Sequence, residues 1–325
     1  MHLAVSKQQI KSAMLPIAII GGVVFYKWMG YVSFLSPYLI FVMLFVTYCK
    51  LDFKDFRPHK AHVFLLAIQM AFAAVAYLLL SPFNHTVAEG VFICIFMPTA
   101  TAAPVITSML GGSISFVATF SLLCNTFVAL AGPVILAAIG DNTDITLWQS
   151  TLLILKKVTP LLIGPIAAAL ILRKATPKVH DFFIRRQQIS FYLWAVALLI
   201  VVGNCVSFVI NTWDERNIVE IAALAAGSFA ACILQFVFGR KAGAKIAADV
   251  NASQSAGADA SDYRVSCAQS LMQKNTVLGV WLAMSYMTPL ASVGPAAYIA
   301  WHNLVNSWQL FRFESQKHNH KDSHR

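Results

Sequence analysis

Lys274 stands near the middle of an apolar, membrane-length stretch, Val265 to Met287, and no other charged residue lies near the centre of such a stretch in this chain. A charge at bilayer mid-depth costs about 2.5–3.5 kcal/mol on insertion scales, so residues of this kind line a polar cavity or pathway and do not face lipid. Helical rise places Lys274 ~15 Å along its stretch, half of a ~30 Å hydrocarbon core and too deep for its stem to snorkel out. A permanent ammonium there attracts an anion or takes the place of a bound cation. One that sheds and regains its proton carries protons, and a neutral amine is a base or Schiff-base nucleophile. The bland reading is a lysine paired to a polar group for packing alone. His302, between Trp301 and Asn303 in another apolar stretch, adds a ring that donates from one nitrogen and accepts at the other.

A second pattern lies in the fourth apolar stretch, interrupted by Pro98-Thr99-Ala100-Thr101-Ala102-Ala103-Pro104. Proline removes a backbone donor and disfavours helix in the residue before it, so the pair predicts a broken helix whose second half begins near Thr101 to Pro104. An exposed helix N-terminus in a membrane binds anions through free N–H groups and the positive end of the dipole. Five stretches later, Gln269-Ser270-Leu271-Met272-Gln273-Lys274-Asn275-Thr276 makes a matching polar interruption, and it contains Lys274.

The elements that position these residues follow from composition. Of 325 residues 58% are hydrophobic and only 12% charged, against about a quarter charged in soluble domains. The fold class expected is an all-α polytopic membrane protein. Apolar stretches of about 17–25 residues predict ten transmembrane helices, near 12–29, 32–49, 61–80, 87–110, 113–139, 147–172, 188–210, 218–238, 265–287 and 291–312. The second, sixth and eighth connections and both tails hold nineteen of the twenty-four Lys and Arg residues. By the positive-inside rule those segments and both termini are cytoplasmic, in a cytoplasmic membrane. The opposite connections carry Glu89, Asp141, Asp144, Asp214 and Glu215 against Lys27 and Arg216. The net charge of +10 therefore reads as topology and not as a nucleic-acid surface. The six cysteines have no CxxC or Cys/His spacing, so neither a disulfide framework nor a metal site is expected. The first apolar run reads as a retained span, residues 242–262 as a flexible cytoplasmic insertion and 313–325 as a cytoplasmic tail. Breaks in helices 4 and 9 predict two five-helix repeats. An odd repeat length makes them inverted, with the discontinuous helices crossing at a midplane binding site.

At these breaks the chain resembles the bile acid:sodium symporter family, over nearly its whole length. Pro98 to Thr107 looks like the family's PGGTASNVxT crossover, Gln273-Lys274-Asn275-Thr276 resembles its MQNSG crossover, and Trp301-His302-Asn303 resembles its last-span motif. The resemblance implies a core (transport) domain, here 61–139 and 218–312, and a panel domain, here 12–49 and 147–210. It also implies alternating access around a central organic-anion site lined by Thr101, Asn275 and His302.

The departures from that pattern concern sodium. The positions of one family sodium site correspond to Ala103, Pro104, Val117, Ser121 and Ser270; the first three offer no side-chain oxygen, and Ser270 lacks the family's carboxylate. Of the second site only Gln69 survives, and Lys274 aligns with its ninth-span glutamine. Sodium also needs several oxygen ligands on general grounds, and none of the fourteen acidic residues falls near mid-depth. The expectation is a secondary transporter of an organic anion, a bile-acid-like molecule or small carboxylate. It is sodium-independent and without a cofactor, with Lys274 replacing the bound cation among Gln69, Ser121 and Ser270, and either proton-coupled or uncoupled. The alternatives are a non-transporting membrane ligand sensor and an intramembrane enzyme using Lys274. No Ser/His, paired-carboxylate or metal-ligand constellation accompanies the lysine, which counts against the enzyme. Partners expected are the anion and membrane lipid, with no nucleic acid; a monomer is compatible with the pattern.

Overall fold

The computed structural model describes residues 7–49, 58–140, 147–212, 217–253 and 260–322. Among these the chain is helical throughout, with no strand. In order the helices are α1 (Lys7–Val24), α2 (Tyr26–Val32), α3 (Ser36–Tyr48), α4 (Lys60–Leu80), α5 (His85–Phe96), α6 (Ala103–Met109), α7 (Ile114–Ile139), α8 (Leu147–Ala175), α9 (Pro177–Arg185), α10 (Gln188–Thr212), α11 (Ile218–Ser253), α12 (Ala260–Met272), α13 (Thr276–Tyr286) and α14 (Val293–Asp322). The basic residues Lys50, Lys54 and Arg57, and the outward Asp141, Asp144, Asp214, Glu215 and Arg216, lie outside the described residues.

Helix starts are written in single side chains. Asn84, Ser113 and Asn275 each accept a hydrogen bond from the backbone N–H three residues on, opening α5, α7 and α13. At the head of α4, His59 accepts from Ala61 N and donates its own N–H to His62 Nδ1.

Among the described residues four helical segments are long and apolar enough to cross a membrane, Tyr26–Tyr48, Lys60–Leu80, Ile114–Ile139 and Ile218–Ala248, with up to a fifth where the bent pair Pro177–Arg185 and Gln188–Asn204 is one span. Leu78, Leu79, Leu130 and Ile171 point outward with more than half their surface exposed, the arrangement lipid covers and water does not. The chain is an all-α, multi-pass membrane protein.

Packing divides the helices into two sets. α1, α2 and α3 gather on α10 and α8 packs on α3, while α4, α5, α7 and α11 to α14 form the other set; between the sets α8 meets α7, α6 meets both α3 and α7, and α14 meets α1 and α10. Within the second set α11 and α12 lie backbone to backbone. A Cβ on Gly239 would sit 2.5 Å from Ala268 Cα, and one on Gly243 2.2 Å from Tyr263 O. Glu89, expected at the outer end of its span, is fully buried, and its Oε2 accepts the Thr288 N–H at 3.0 Å, tying the turn before α14 to α5.

Three boundaries differ from the sequence reading. The first connection falls at Phe25 and not near residue 30. Gly22 brings α1 onto α10, where a Cβ would meet Leu199 O at 2.7 Å, and the chain turns just past that contact. The expected flexible insertion is helix as far as Ser253, with α12 under way from Ala260; residues 254–259 lie outside the described set. Its alanine-rich sequence favours helix, and α12 packs along it. The expected tail continues α14 to Asp322, because Phe313 packs into the core beside Gly111.

The close approach of α11 to α12 gives a direct test. Gly239→Val drives a side chain into backbone that cannot yield, so a loss of about 1–3 kcal/mol is expected. It reads as a lower melting temperature in detergent, while Leu234→Ala on the exposed face stays within about 0.5 kcal/mol of the parent.

Candidate functional site

The site is built on two interrupted helices. α5 stops at Phe96 because Met97, preceding Pro98, takes the extended conformation that proline imposes (φ −51°, ψ 145°). α6 resumes at Ala103 with Pro104 in its first turn, where a missing N–H breaks no helical bond. α12 stops at Met272, and the Asn275 side chain caps α13 by accepting from Leu278 N at 3.2 Å. The two unwound stretches pair antiparallel, with Thr99 opposite Lys274. Ala100 N donates to Gln273 O at 2.9 Å and Asn275 N to Pro98 O at 2.8 Å. Buried backbone groups released from a helix need partners, and each break supplies them to the other.

Side chains hold the remaining carbonyls. Gln69 Nε2, from α4, donates to Phe96 O and Met97 O, both at 3.2 Å. Asn125 Nδ2, from α7, donates to Thr99 O at 3.0 Å and to Ser121 O at 2.8 Å. Thr99 Oγ1 donates to Ser270 O at 2.8 Å. On the other side Gln269 Nε2 donates to Asn306 Oδ1 and Asn306 Nδ2 to Gln273 Oε1, an amide chain joining α12 to α14.

A cavity of about 100 Å³ opens beside the paired breaks. Thr101, Lys274, Asn275 and His302 line it from one helix set, and Ile40, Met43, Trp194 and Leu198 from the other. A second cavity of about 330 Å³ shares Val201, Val277 and Ile299 with it and adds Ser33, Ser36 and Asn204. Lys274 is 1% exposed, and its Nζ has no hydrogen-bond partner among the described residues. The thiols of Cys94 and Cys124 lie within electrostatic range of it. His302 is buried edge-on to Tyr298, with Nδ1 unpartnered among the described residues. Among the described residues no carboxylate lines either cavity.

Thr101, Asn275, His302 and Lys274 thus share one cavity. Gln69, Ser121 and Ser270 do not; they sit behind the breaks, and none hydrogen-bonds the ammonium. Gln69 spends its donor on the end of α5 and its Oε1 accepts from Cys124 Sγ at 3.6 Å, while Ser121 accepts from Asn125. At the expected anion-binding start of α6, the donors inside the helix are taken, while Thr101 and Ala102 of the turn before it line the cavity. Ala103 N donates to Ala100 O, Val105 and Ile106 N to Ala102 O, and Pro104 has no N–H. α13 is the half-helix whose first residues, Thr276 and Val277, face the cavity. Asn303 bonds back to Ile299 O in its own helix, whereas Asn306 is interhelical.

Sequence reasoning missed Asn125 and Thr99, which lock the break from behind. The available signal was one amide in the middle of an apolar helix, four residues after Ser121. The described residues contain no group of three or more His, Cys, Asp or Glu placed to hold a metal, and Cys49, Cys94, Cys124, Cys232 and Cys267 are buried and not joined in disulfides. Compared with known proteins, the chain matches no family model and no curated protein.

Removing the Asn125 amide leaves Thr99 O without its donor. Asn125→Ala is expected to cost about 1–3 kcal/mol, seen as a lower melting temperature in detergent, with Leu130→Ala on the exposed face of the same helix as the unchanged control.

Proposed function

We propose that this chain is a secondary carrier of an organic anion, a divergent relative of the bile acid:sodium symporters in which Lys274 stands where a cation would bind. One observation carries the reading. A buried lysine without a hydrogen-bond partner among the described residues lies at the junction of two broken, mutually paired helices and lines a cavity between two helix sets. Transporters bind at such junctions, and an intramembrane charge there marks a substrate or ion pathway.

The order of helices supports the repeat. With α2–α3, α5–α6 and α12–α13 each taken as one crossing and α9 as a surface helix, the helices described make ten crossings, broken at the fourth and ninth. That order fits two inverted five-helix repeats with both termini on the cytoplasmic side, where the basic connections fall. The set built on α10 corresponds to the panel, and the set holding both breaks to the core. The carrier works by alternating access, the core shifting against the panel around the cavity. A carboxylate entering it meets the Lys274 ammonium, the Thr101 hydroxyl, the His302 ring and the Asn275 amide, whose oxygen is committed to the cap and whose NH₂ end remains for a ligand. A cavity wall without carboxylates suits an anion and is poor for sodium.

Uptake into proteoliposomes tests this. Labelled carboxylates are expected to accumulate or exchange equally in sodium and sodium-free buffer, and Lys274→Gln to reduce uptake about 10–100-fold, the worth of the ~1.5–3 kcal/mol in a hydrogen bond to a charged group. A pH dependence that Lys274→Gln erases marks proton coupling. Uptake that falls to background without sodium defeats the cation-replacement reading. Binding without accumulation marks a sensor, and a chemically altered label an enzyme.

A further inference from the structure

We propose that α9 and the last turn of α8 form a binding surface for anionic phospholipid headgroups, separate from the cavity and independent of what it carries. Arg173, Lys174, Lys178, Arg185 and Arg186 are all exposed, five cations against the single acid Asp181 within residues 173–186. Basic clusters of this size next to a membrane-crossing helix, or on an amphipathic one, attract anionic headgroups.

Three observations make this more than a basic loop. First, α9 is bent 66° from α10 and is held there from below. His180 is buried, Phe183 meets Phe45 edge-on with ring centroids 5.2 Å apart, and Gln187 Nε2 donates to Val46 O at 2.8 Å. Second, the face turned away from those contacts is both cationic and apolar. Phe182 is 50% and Val179 44% exposed among the basic side chains, and the Arg186 guanidinium lies over the Phe182 ring at 5.7 Å. Third, the surface continues into lipid-facing protein, since Ile171, just before Arg173 on α8, is 66% exposed. An exposed phenylalanine flanked by cations fits the boundary between acyl chains and phosphodiesters, where interfacial amphipathic helices lie. A free phosphate would use the cations and leave Phe182 and Val179 in water. The lipid uses both.

The test is native mass spectrometry of the detergent-purified full chain, titrated with phosphatidylglycerol or phosphatidylcholine. The parent is expected to retain phosphatidylglycerol preferentially and to lose that preference at high salt. A triple variant, Lys178→Gln with Arg185→Gln and Arg186→Gln, is expected to weaken phosphatidylglycerol binding about 100-fold, at about fivefold per basic residue, with phosphatidylcholine binding unchanged. Its melting temperature in phosphatidylcholine micelles should equal the parent's; should that variant not fold, the pair Arg173→Gln with Lys174→Gln serves, with a loss of about 25-fold on the same scale. Equal retention of the two lipids by the parent overturns the proposal, as does undiminished phosphatidylglycerol binding by a folded variant. Glycerol phosphate competing as strongly as the intact lipid also overturns it, because the occupant would then be a soluble phosphate.

Discussion

Unwinding a helix inside a membrane exposes backbone groups that lipid cannot satisfy, and the site depends on how this chain meets that constraint. Residues 98–100 and 273–275 supply each other's missing partners, through Ala100 to Gln273 and Asn275 to Pro98. The exchange requires both breaks at once. Rewinding one helix would orphan groups on the other, so α5–α6 and α12–α13 are bound to move as one body. Gln69 and Asn125 extend the same logic outward by satisfying carbonyls at the first break from α4 and α7. Each such group left buried and unpaired would cost about 1–3 kcal/mol, which is enough to make the four elements a unit.

That unit fixes Lys274. Its backbone is held opposite Thr99, its side chain is 1% exposed, and its Nζ has no hydrogen-bond partner among the described residues. An uncompensated buried charge costs several kcal/mol, more than the ~1 kcal/mol net worth of an ordinary hydrogen bond. The bonds that build the junction therefore hold the amine where a charge on it is costly when the cavity is empty. In the carrier proposed, an anion that enters offsets that cost for the charged form of the lysine. In that carrier a sodium ion in the same position would bind and leave, whereas the lysine stays.

How far the sequence carried this depends on what each residue can express alone. Lys274 and the proline pair were legible because their types are costly in an apolar helix wherever their partners lie. Asn125 was not, since an amide in a helix has no direction until Thr99 O is placed beside it. Gln69 misled for a related reason. A side-chain amide carries a donor and an acceptor, and the sequence suggested the oxygen end faced the ammonium, whereas the structure commits that end to Cys124 and the nitrogen end to the end of α5. At the start of α6 a break implies free N–H groups, but a tight turn at residues 100–103 takes those of Ala103, Val105 and Ile106 and Pro104 has none, a local closure that spacing does not express. The extension of α11 to Ser253 was missed because apolarity served as the criterion for helix. An alanine-rich polar run is helical by propensity without being apolar.

A tethered cation also changes the electrical character of the carrier proposed here. When sodium accompanies an anion, charge crosses with it and the membrane potential contributes to uptake. A lysine that remains protonated throughout is never released, so each monovalent anion carried inward takes one net negative charge against an inside-negative potential. That opposes uptake by ~2.3 kcal/mol per 100 mV, about a fiftyfold concentration ratio. Such a carrier favours export, or exchange of one anion for another. If Lys274 instead gains its proton outside and loses it inside, the anion and proton cross together and the cycle is electroneutral. In the carrier proposed, the direction of transport is thus tied to whether one side chain stays charged.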